Sequence, residues 1–308
     1  MEKLDFVFKK DRSFGDLFND FIHLYKKIFK HFNITVLSIS LQFVAVLMIL
    51  SYFFVTNIIE AIQYNTEDWL GFGLATVAFF LFGLALIVTI SMFSIEYMLL
   101  LEERRATDFD SKDVFRNIKT KFKKYVRFFL GAIVVWLIII VPLILLLAIS
   151  IFIPIVGNLV MGVIGAVVSL YFYMALLVYM KKDMGLKDSF LYVFRMINQK
   201  FFVYGLASYV MQFIIQIALG LITAIPLIIL GVISFVVMDI NENFLLTSTG
   251  KFILTIGAGF LGLMIVFSTI YLISFYVLQY FSLIEHNVGD QTIEDIDQIG
   301  VDAIGKID

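Results

Sequence analysis

The sequence predicts an all-α integral membrane protein of six transmembrane helices, arranged as three hairpins and each hairpin preceded by an amphipathic helix in the cytoplasmic interface. Three observations carry this prediction. The chain is 61% hydrophobic and only 16% charged over 308 residues, with a mean hydropathy of +0.98, too apolar for its side chains to hide in a water-soluble core. It offers six apolar stretches of the length, about 20 residues, that a helix needs to cross a hydrocarbon core of roughly 30 Å. One unit also recurs three times, a polar or Gly opening, a basic amphipathic segment and two apolar spans.

The units occupy residues 13–109, 110–184 and 185–289, within a single membrane domain covering 1–308. Their openings are Ser13-Phe14-Gly15-Asp16-Leu17-Phe18, Asp110-Ser111-Lys112-Asp113-Val114-Phe115 and Gly185-Leu186-Lys187-Asp188-Ser189-Phe190. Asp16, Asp113 and Asp188 suit a helix N-terminus, where backbone N–H groups lack partners and a negative charge is favoured. In the first amphipathic segment Phe14, Leu17, Phe18, Phe21, Tyr25, Ile28, Phe29 and Phe32 follow the three-and-four spacing of one helical face, and Lys26, Lys27 and Lys30 lie off it. The second sets Phe115, Ile118, Phe122, Tyr125 and Phe129 against Arg116, Lys119, Lys121, Lys123 and Lys124. The third sets Phe190, Phe194, Ile197 and Phe201 against Arg195 and Lys200. Each is expected to lie on the membrane with Phe in the acyl boundary. These Lys and Arg side chains are expected at lipid headgroups, where an anionic leaflet adds about 1 kcal/mol per basic residue.

The spans are predicted near Ile34 to Ile58, Phe72 to Leu101, Val126 to Ile153, Ile155 to Met180, Gly205 to Met238 and Phe252 to Ile284. The second span of each hairpin opens with small residues, Gly71 and Gly73, then Gly157, Gly162 and Gly165, then Gly257, Gly259 and Gly262, which allow close helix approach. Pro142 and Pro226 fall inside the third and fifth spans and are expected to kink them. The exits of the second and sixth spans match, Tyr97 to Glu102 resembling Tyr280 to Glu285.

All 23 Lys and Arg residues except Lys251 fall in the N-terminal segment, the connections after the second and fourth spans, or the C-terminal tail. The positive-inside rule then puts both termini in the cytoplasm of a bacterial inner membrane, with three hairpins pointing outward. The first 33 residues are charged and amphipathic, so the first span is expected to act as an uncleaved signal anchor. Residues 290–308 form an acidic amphipathic tail opened by the capping-box pattern Thr292-Ile293-Glu294-Asp295. An anionic leaflet repels such a tail, so Ile293, Ile296 and Ile299 are expected to dock on protein, in this chain or another subunit.

Sites of chemistry are sparse. Cysteine is absent, and His23, His31 and His286 show no HExxH spacing. Neither a Walker loop, a GxSxG elbow nor a dinucleotide fingerprint is present, so no catalytic residue, metal or cofactor is expected, and no nucleic-acid partner. Within the membrane two polar features stand out. Glu96 lies near the cytoplasmic exit of the second span, where it must face protein or water, and the repeat places Tyr173 and Gln279 at equivalent positions. No second membrane carboxylate or cation accompanies Glu96 in the sequence. Ser208, Gln212 and Gln216, with Thr223 beyond, form a stripe on the fifth span that either glues helices together or lines a hydrated path.

The threefold order of interfacial helix and hairpin, the Asp-x-Phe openings and the Tyr97-Met98-Leu99-Leu100-Leu101-Glu102 exit resemble bacterial six-span families, foremost the membrane domain found beside glycerophosphodiester phosphodiesterases and related stand-alone proteins. The resemblance covers most of the chain at the level of layout. It implies a membrane module and carries over no enzyme activity, because no soluble stretch here is long enough for the catalytic domain. The expected function is a non-enzymatic inner-membrane scaffold or accessory subunit that binds membrane lipids and a membrane-protein partner or a second copy. The alternative is a transporter or channel for a lipid or small amphiphile.

Overall fold

A computed structural model describes residues 4–64, 69–150, 152–182, 184–237 and 247–304, with no side chain described beyond Asn287. Among these residues the chain forms α1 (Phe14–Tyr64), α2 (Trp69–Arg104), α3 (Ser111–Ser150), α4 (Pro154–Lys181), α5 (Leu186–Gln199), α6 (Phe201–Val237) and α7 (Ser248–Ile304), and no β-sheet. Five helices are long and apolar enough to cross a membrane, or six if α1, bent by 42° between Phe14–Val36 and Leu41–Asn57, supplies a span. The architecture is thus an all-α, multi-pass membrane bundle.

Local chemistry explains where the helices start. At α1 the Ser13 backbone N–H and hydroxyl donate to the Asp16 carboxylate at 3.2 and 2.7 Å, and the Asp16 N–H returns a bond to Ser13 Oγ at 3.3 Å. This reciprocal box satisfies two otherwise orphaned donors. These hydrogen bonds from Ser13 hold the Asp16 carboxyl below its usual range. At α3 the cap is instead Asp110, which accepts from the N–H groups of Lys112 and Asp113 at 2.9 and 3.0 Å. Asp113 is left to pair with Arg104 and Arg116. At α5 no side chain caps the helix, although Asp188 sits in its first turn.

The amphipathic segments differ from expectation in two ways. In the first two units they are not separate helices: α1 runs from basic segment into span through its 42° bend, and α3 does so as one 40-residue helix. Only α5 stands apart, ended where Lys200 takes a non-helical φ of −128°. The Phe-rich faces also turn inward more than outward. Leu17, Phe21, Leu24, Tyr25, Ile28 and Phe32 are buried, with Phe21 packed edge-on to Phe275 of α7 at 5.3 Å and Tyr25 against Tyr271 at 5.2 Å. Phe14, Phe29, Phe115, Phe122 and Phe194 remain exposed, and these are the rings free to enter an acyl boundary.

The core sits at the basic end of the bundle. There the exits of α2, α4 and α7 come together, and residues such as Tyr97, Met98, Leu101, Leu177, Val178, Tyr276 and Phe281 are almost wholly buried. α7 is central, touching α1, α2, α4 and α6, whereas α3 packs on α2 and α4. None of the most apolar stretch of α3 is buried, and only 6% of that of α6, so both present their surfaces to lipid. Close approach through glycine is real at several helix contacts, Gly157 against Ser150 of α3 and Gly205 against Val167 of α4 among them. A Cβ on Gly162 would run into the Tyr209 ring of α6, and one on Gly262 would run into Leu47 of α1. Gly73 and Gly165, by contrast, face open space. Both α3 and α6 continue through Pro142 and Pro226 as unbroken helices.

Candidate functional site at the basic end

Glu96 is entirely buried on α2, and a cation from α3 meets it there. Lys121, on the amphipathic half of α3, places Nζ 2.9 and 2.8 Å from the two carboxylate oxygens, while the Tyr125 hydroxyl donates to Oε1 at 2.8 Å. One helical turn separates Lys121 from Tyr125, so a single face of α3 delivers both donors to one carboxylate. A buried carboxylate with a cation and a phenol in contact is electrically and sterically satisfied, which a lone Glu at that depth is not. Lys121, expected at lipid headgroups, is therefore engaged inward, although 36% of its side chain remains exposed.

The expected cluster of Glu96 with Tyr173 and Gln279 is divided into separate contacts. Tyr173 hydrogen-bonds Ser91 at 3.1 Å and stacks on Tyr276, with ring centroids 5.6 Å apart. Ser91 already donates to the Ile87 carbonyl at 2.7 Å, so Tyr173 is the donor in that pair. Gln279 is buried between α6 and α7, accepting from Ser208 at 3.0 Å and donating to the Tyr204 carbonyl at 3.2 Å. The stripe on α6 divides likewise. Ser208 is buried in that bond, Thr223 donates to the Leu219 carbonyl of its own helix at 3.0 Å, Gln212 is half-buried, and Gln216 is exposed.

Of the basic residues, Lys26, Lys27, Lys30, Lys119, Lys123, Arg116 and Arg195 are exposed. Lys27 also donates to the Asp5 carbonyl at 2.6 Å, and Arg116 pairs with Asp113 at 2.6 Å. Lys124 lies over the Tyr179 ring at 5.5 Å. Lys200 binds Asp11 at 3.1 Å. The docking residues Ile293, Ile296 and Ile299 lie outside the described side chains.

The strongest polar feature of this end was missed in the sequence. Arg12 is 1% exposed, and its guanidinium donates to the carbonyls of Val7, Phe8 and Lys10 at 2.5, 2.8 and 3.0 Å and to Asp20 at 2.9 Å. Its backbone N–H donates to Ser282 of α7 at 2.9 Å, and Ser282 in turn bonds the Tyr204 hydroxyl of α6. Five donors in a planar fork suit this work, and a Lys cannot supply them. The arginine folds residues 4–13 into a strap that buries Phe6 and Phe8 and reaches Arg105, whose carbonyl accepts from Leu4 N–H at 2.7 Å. Arg105 closes α2 in the left-handed region at φ 49°. Asp11 then fastens the strap to the α5–α6 junction through Lys200 and to α7 through His286 at 3.0 Å. Burial works against the Asp11 carboxylate, but Lys200 and His286 outweigh it and hold its pKa below the usual value. His31 completes the end, with one ring nitrogen 2.9 Å from the Tyr97 hydroxyl and the other 2.7 Å from the Phe109 carbonyl. The signal for Arg12 was present, since it is the sole arginine among the first hundred residues, in a segment otherwise served by lysine.

The crevices between helices are largely apolar. One of about 370 Å³ lies between α3, α4 and the α5–α6 junction, lined by residues including Val135, Ile139, Val167 and Phe201. Another of about 290 Å³ lies between α2, α3 and α4, with Trp136, Ala132 and Phe172 in its wall and Ser91, Ser169 and Tyr173 among its polar lining. Neither is lined by Glu96, Gln212, Gln216 or Gln279. Among the described residues no His, Asp and Glu side chains are grouped to hold a metal ion. The chain matches no protein-family model, no curated protein and no solved structure.

Proposed function

We propose that the chain is a non-enzymatic scaffold or accessory subunit of a bacterial inner-membrane complex, with six spans in three outward hairpins and its basic end and both termini in the cytoplasm. The observation that carries this reading is the basic end itself. Arg12, Asp11, Lys200, Ser282 and Tyr204 tie the strap, α6 and α7 together, and the Glu96–Lys121–Tyr125 contact ties α2 to α3. Together these bonds brace α2, α3, α6, α7 and the strap against one another at one end of the bundle. The exposed Lys26, Lys27, Lys30, Lys119, Lys123 and Arg195 support a surface resting on anionic headgroups. The resemblance in layout to the membrane domain beside glycerophosphodiester phosphodiesterases supports a membrane module.

A second reading, a carrier for a lipid or small amphiphile, is favoured by one feature, the apolar crevice between α2, α3 and α4 with the Ser91, Ser169 and Tyr173 hydroxyls in its wall. Mass spectrometry of tagged protein purified in mild detergent from its native host separates the two. A stoichiometric membrane-protein partner, lost on deletion of residues 291–308, is the expected result. A lone chain carrying one enriched lipid, together with flux of that lipid in reconstituted vesicles, would overturn the scaffold reading.

A further inference from the structure

On α6, the residues Gln212 and Gln216 stand one turn apart near the midpoint of the apolar span Phe201–Ile229. Their neighbours in the polar stripe, Ser208 and Thr223, are hydrogen-bonded within the chain, but neither glutamine has a partner among the described residues. Gln216 is exposed at a depth where hydrocarbon, not water, surrounds the helix. A primary amide carries two donors and an acceptor, and leaving all of them unmatched in lipid is unfavourable. Isolated polar side chains in a span accordingly face a protein partner or a water-filled space. The two crevices that α6 lines, one at Phe201 and one at Leu227 and Gly231, do not reach these residues.

The same row of α6 continues one turn further to Gly220, where a Cβ would meet nothing within 4 Å, and then to Ala224. Residues four apart form a ridge, and one ending in small side chains lets a second backbone come close. α6 also buries only 6% of its most apolar stretch, so its outer surface is open to a neighbour. The amide is its own complement, since each can donate to and accept from an identical group. Copies of one chain insert in the same orientation, so a twofold axis between them runs along the bilayer normal and brings each residue level with its own counterpart.

We propose that the protein forms a twofold dimer through α6, in which Gln212 and Gln216 of two copies hydrogen-bond across the axis and Gly220 lets the helices approach. This rests on the scaffold reading and deepens it by naming a second copy as one partner.

The chain contains no cysteine, so a single Gln216→Cys substitution in the full-length protein gives one thiol per copy. In dilute phospholipid vesicles, a short bifunctional thiol reagent is expected to link copies through position 216 well above the level reached from Ile214→Cys, on the opposite side of α6, or Leu137→Cys on α3, both exposed positions off that row. Energy transfer between terminally labelled copies measures the dimer dissociation constant, which is expected to rise roughly tenfold in the Gln212→Leu/Gln216→Leu variant, as for loss of one or two interhelical amide bonds. Monomers at every lipid dilution, equal linkage from all three cysteine positions, or an unchanged constant in the double variant would each overturn the dimer. Such a failure leaves the scaffold reading to the partner and flux measurements above, because those address a different protein and a different activity.

Discussion

Lys121→Met tests whether the Glu96 contact holds α3 against α2 or merely decorates it. The substitution keeps most of the aliphatic stem and removes the ammonium that lies 2.8 Å from Glu96 Oε2. Removing one partner of a fully buried pair costs about 3–5 kcal/mol, because the remaining charge is stranded. Here Glu96 is 0% exposed but the Lys121 side chain is 36% exposed, so water already screens one side and can enter when the ammonium leaves. The Tyr125 hydroxyl at 2.8 Å also continues to stabilise the carboxylate. The expected loss is therefore about 2–3 kcal/mol, below the range for a dry pair. Glu96→Gln is expected to cost less, about 1–2 kcal/mol, since the amide oxygen still accepts from Tyr125 and Lys121 can turn to water. In the double variant no buried charge remains, so its loss should be smaller than the sum by about 1–2 kcal/mol. Reversible unfolding in mixed detergent micelles, followed by helical circular dichroism across the four proteins, measures all three terms. A Lys121→Met loss below about 0.5 kcal/mol, or strict additivity of the two substitutions, would refute the reasoning, since either means that Glu96 does not depend on Lys121.

Three further outcomes follow from the same geometry. Arg12→Ala should free residues 4–13, seen as loss of hydrogen-exchange protection at Leu4 and Phe6 with about 2–3 kcal/mol of destabilisation, and Arg12→Lys should restore less than half of it because an ammonium cannot span three carbonyls. Undiminished protection in Arg12→Ala would count against the strap. Gly162→Leu should destabilise by about 1–3 kcal/mol through the Tyr209 ring, whereas Gly165→Ala should be nearly neutral, a contrast readable by thermal unfolding in detergent. The Asp11 carboxyl is held below its ordinary 3.8, so its contribution is complete above about pH 4 and fades as the pH falls through the lowered value. Strap protection in the wild type should accordingly exceed that of Asp11→Asn at neutral pH and converge with it in acid, and a gap that persists or widens in acid would contradict the assignment.

The helices were legible because hydrophobic periodicity and capping are local. The alternation of Phe and Lys along 14–32 and 115–129 marks amphipathic helix, and Ser13 with Asp16 marks its start. What those faces touch was not local. The Phe21 and Tyr25 rings were expected in lipid and instead meet α7, some 250 residues later in the chain, because burial against an aromatic helix satisfies an apolar face as well as acyl chains do. The Asp repeat was similarly informative about position and less so about role. Asp16 completes a capping box, Asp113 serves two arginines, and α5 has no side-chain cap at all, since equal spacing does not guarantee an equal neighbour.

Composition and charge alone determined that this is a helical membrane protein, because no soluble fold can bury a chain with mean hydropathy +0.98 and backbone polar groups in lipid require helices or closed barrels. Only the tertiary structure decided which polar groups answer one another. Glu96 finds Lys121 and Tyr125 on another helix, and Arg12 finds the carbonyls of its own strap while its backbone reaches Ser282, 270 residues away. Such pairings depend on the register and crossing of packed helices, and in a linear sequence a half-exposed lysine that closes a buried carboxylate looks the same as one that rests on lipid.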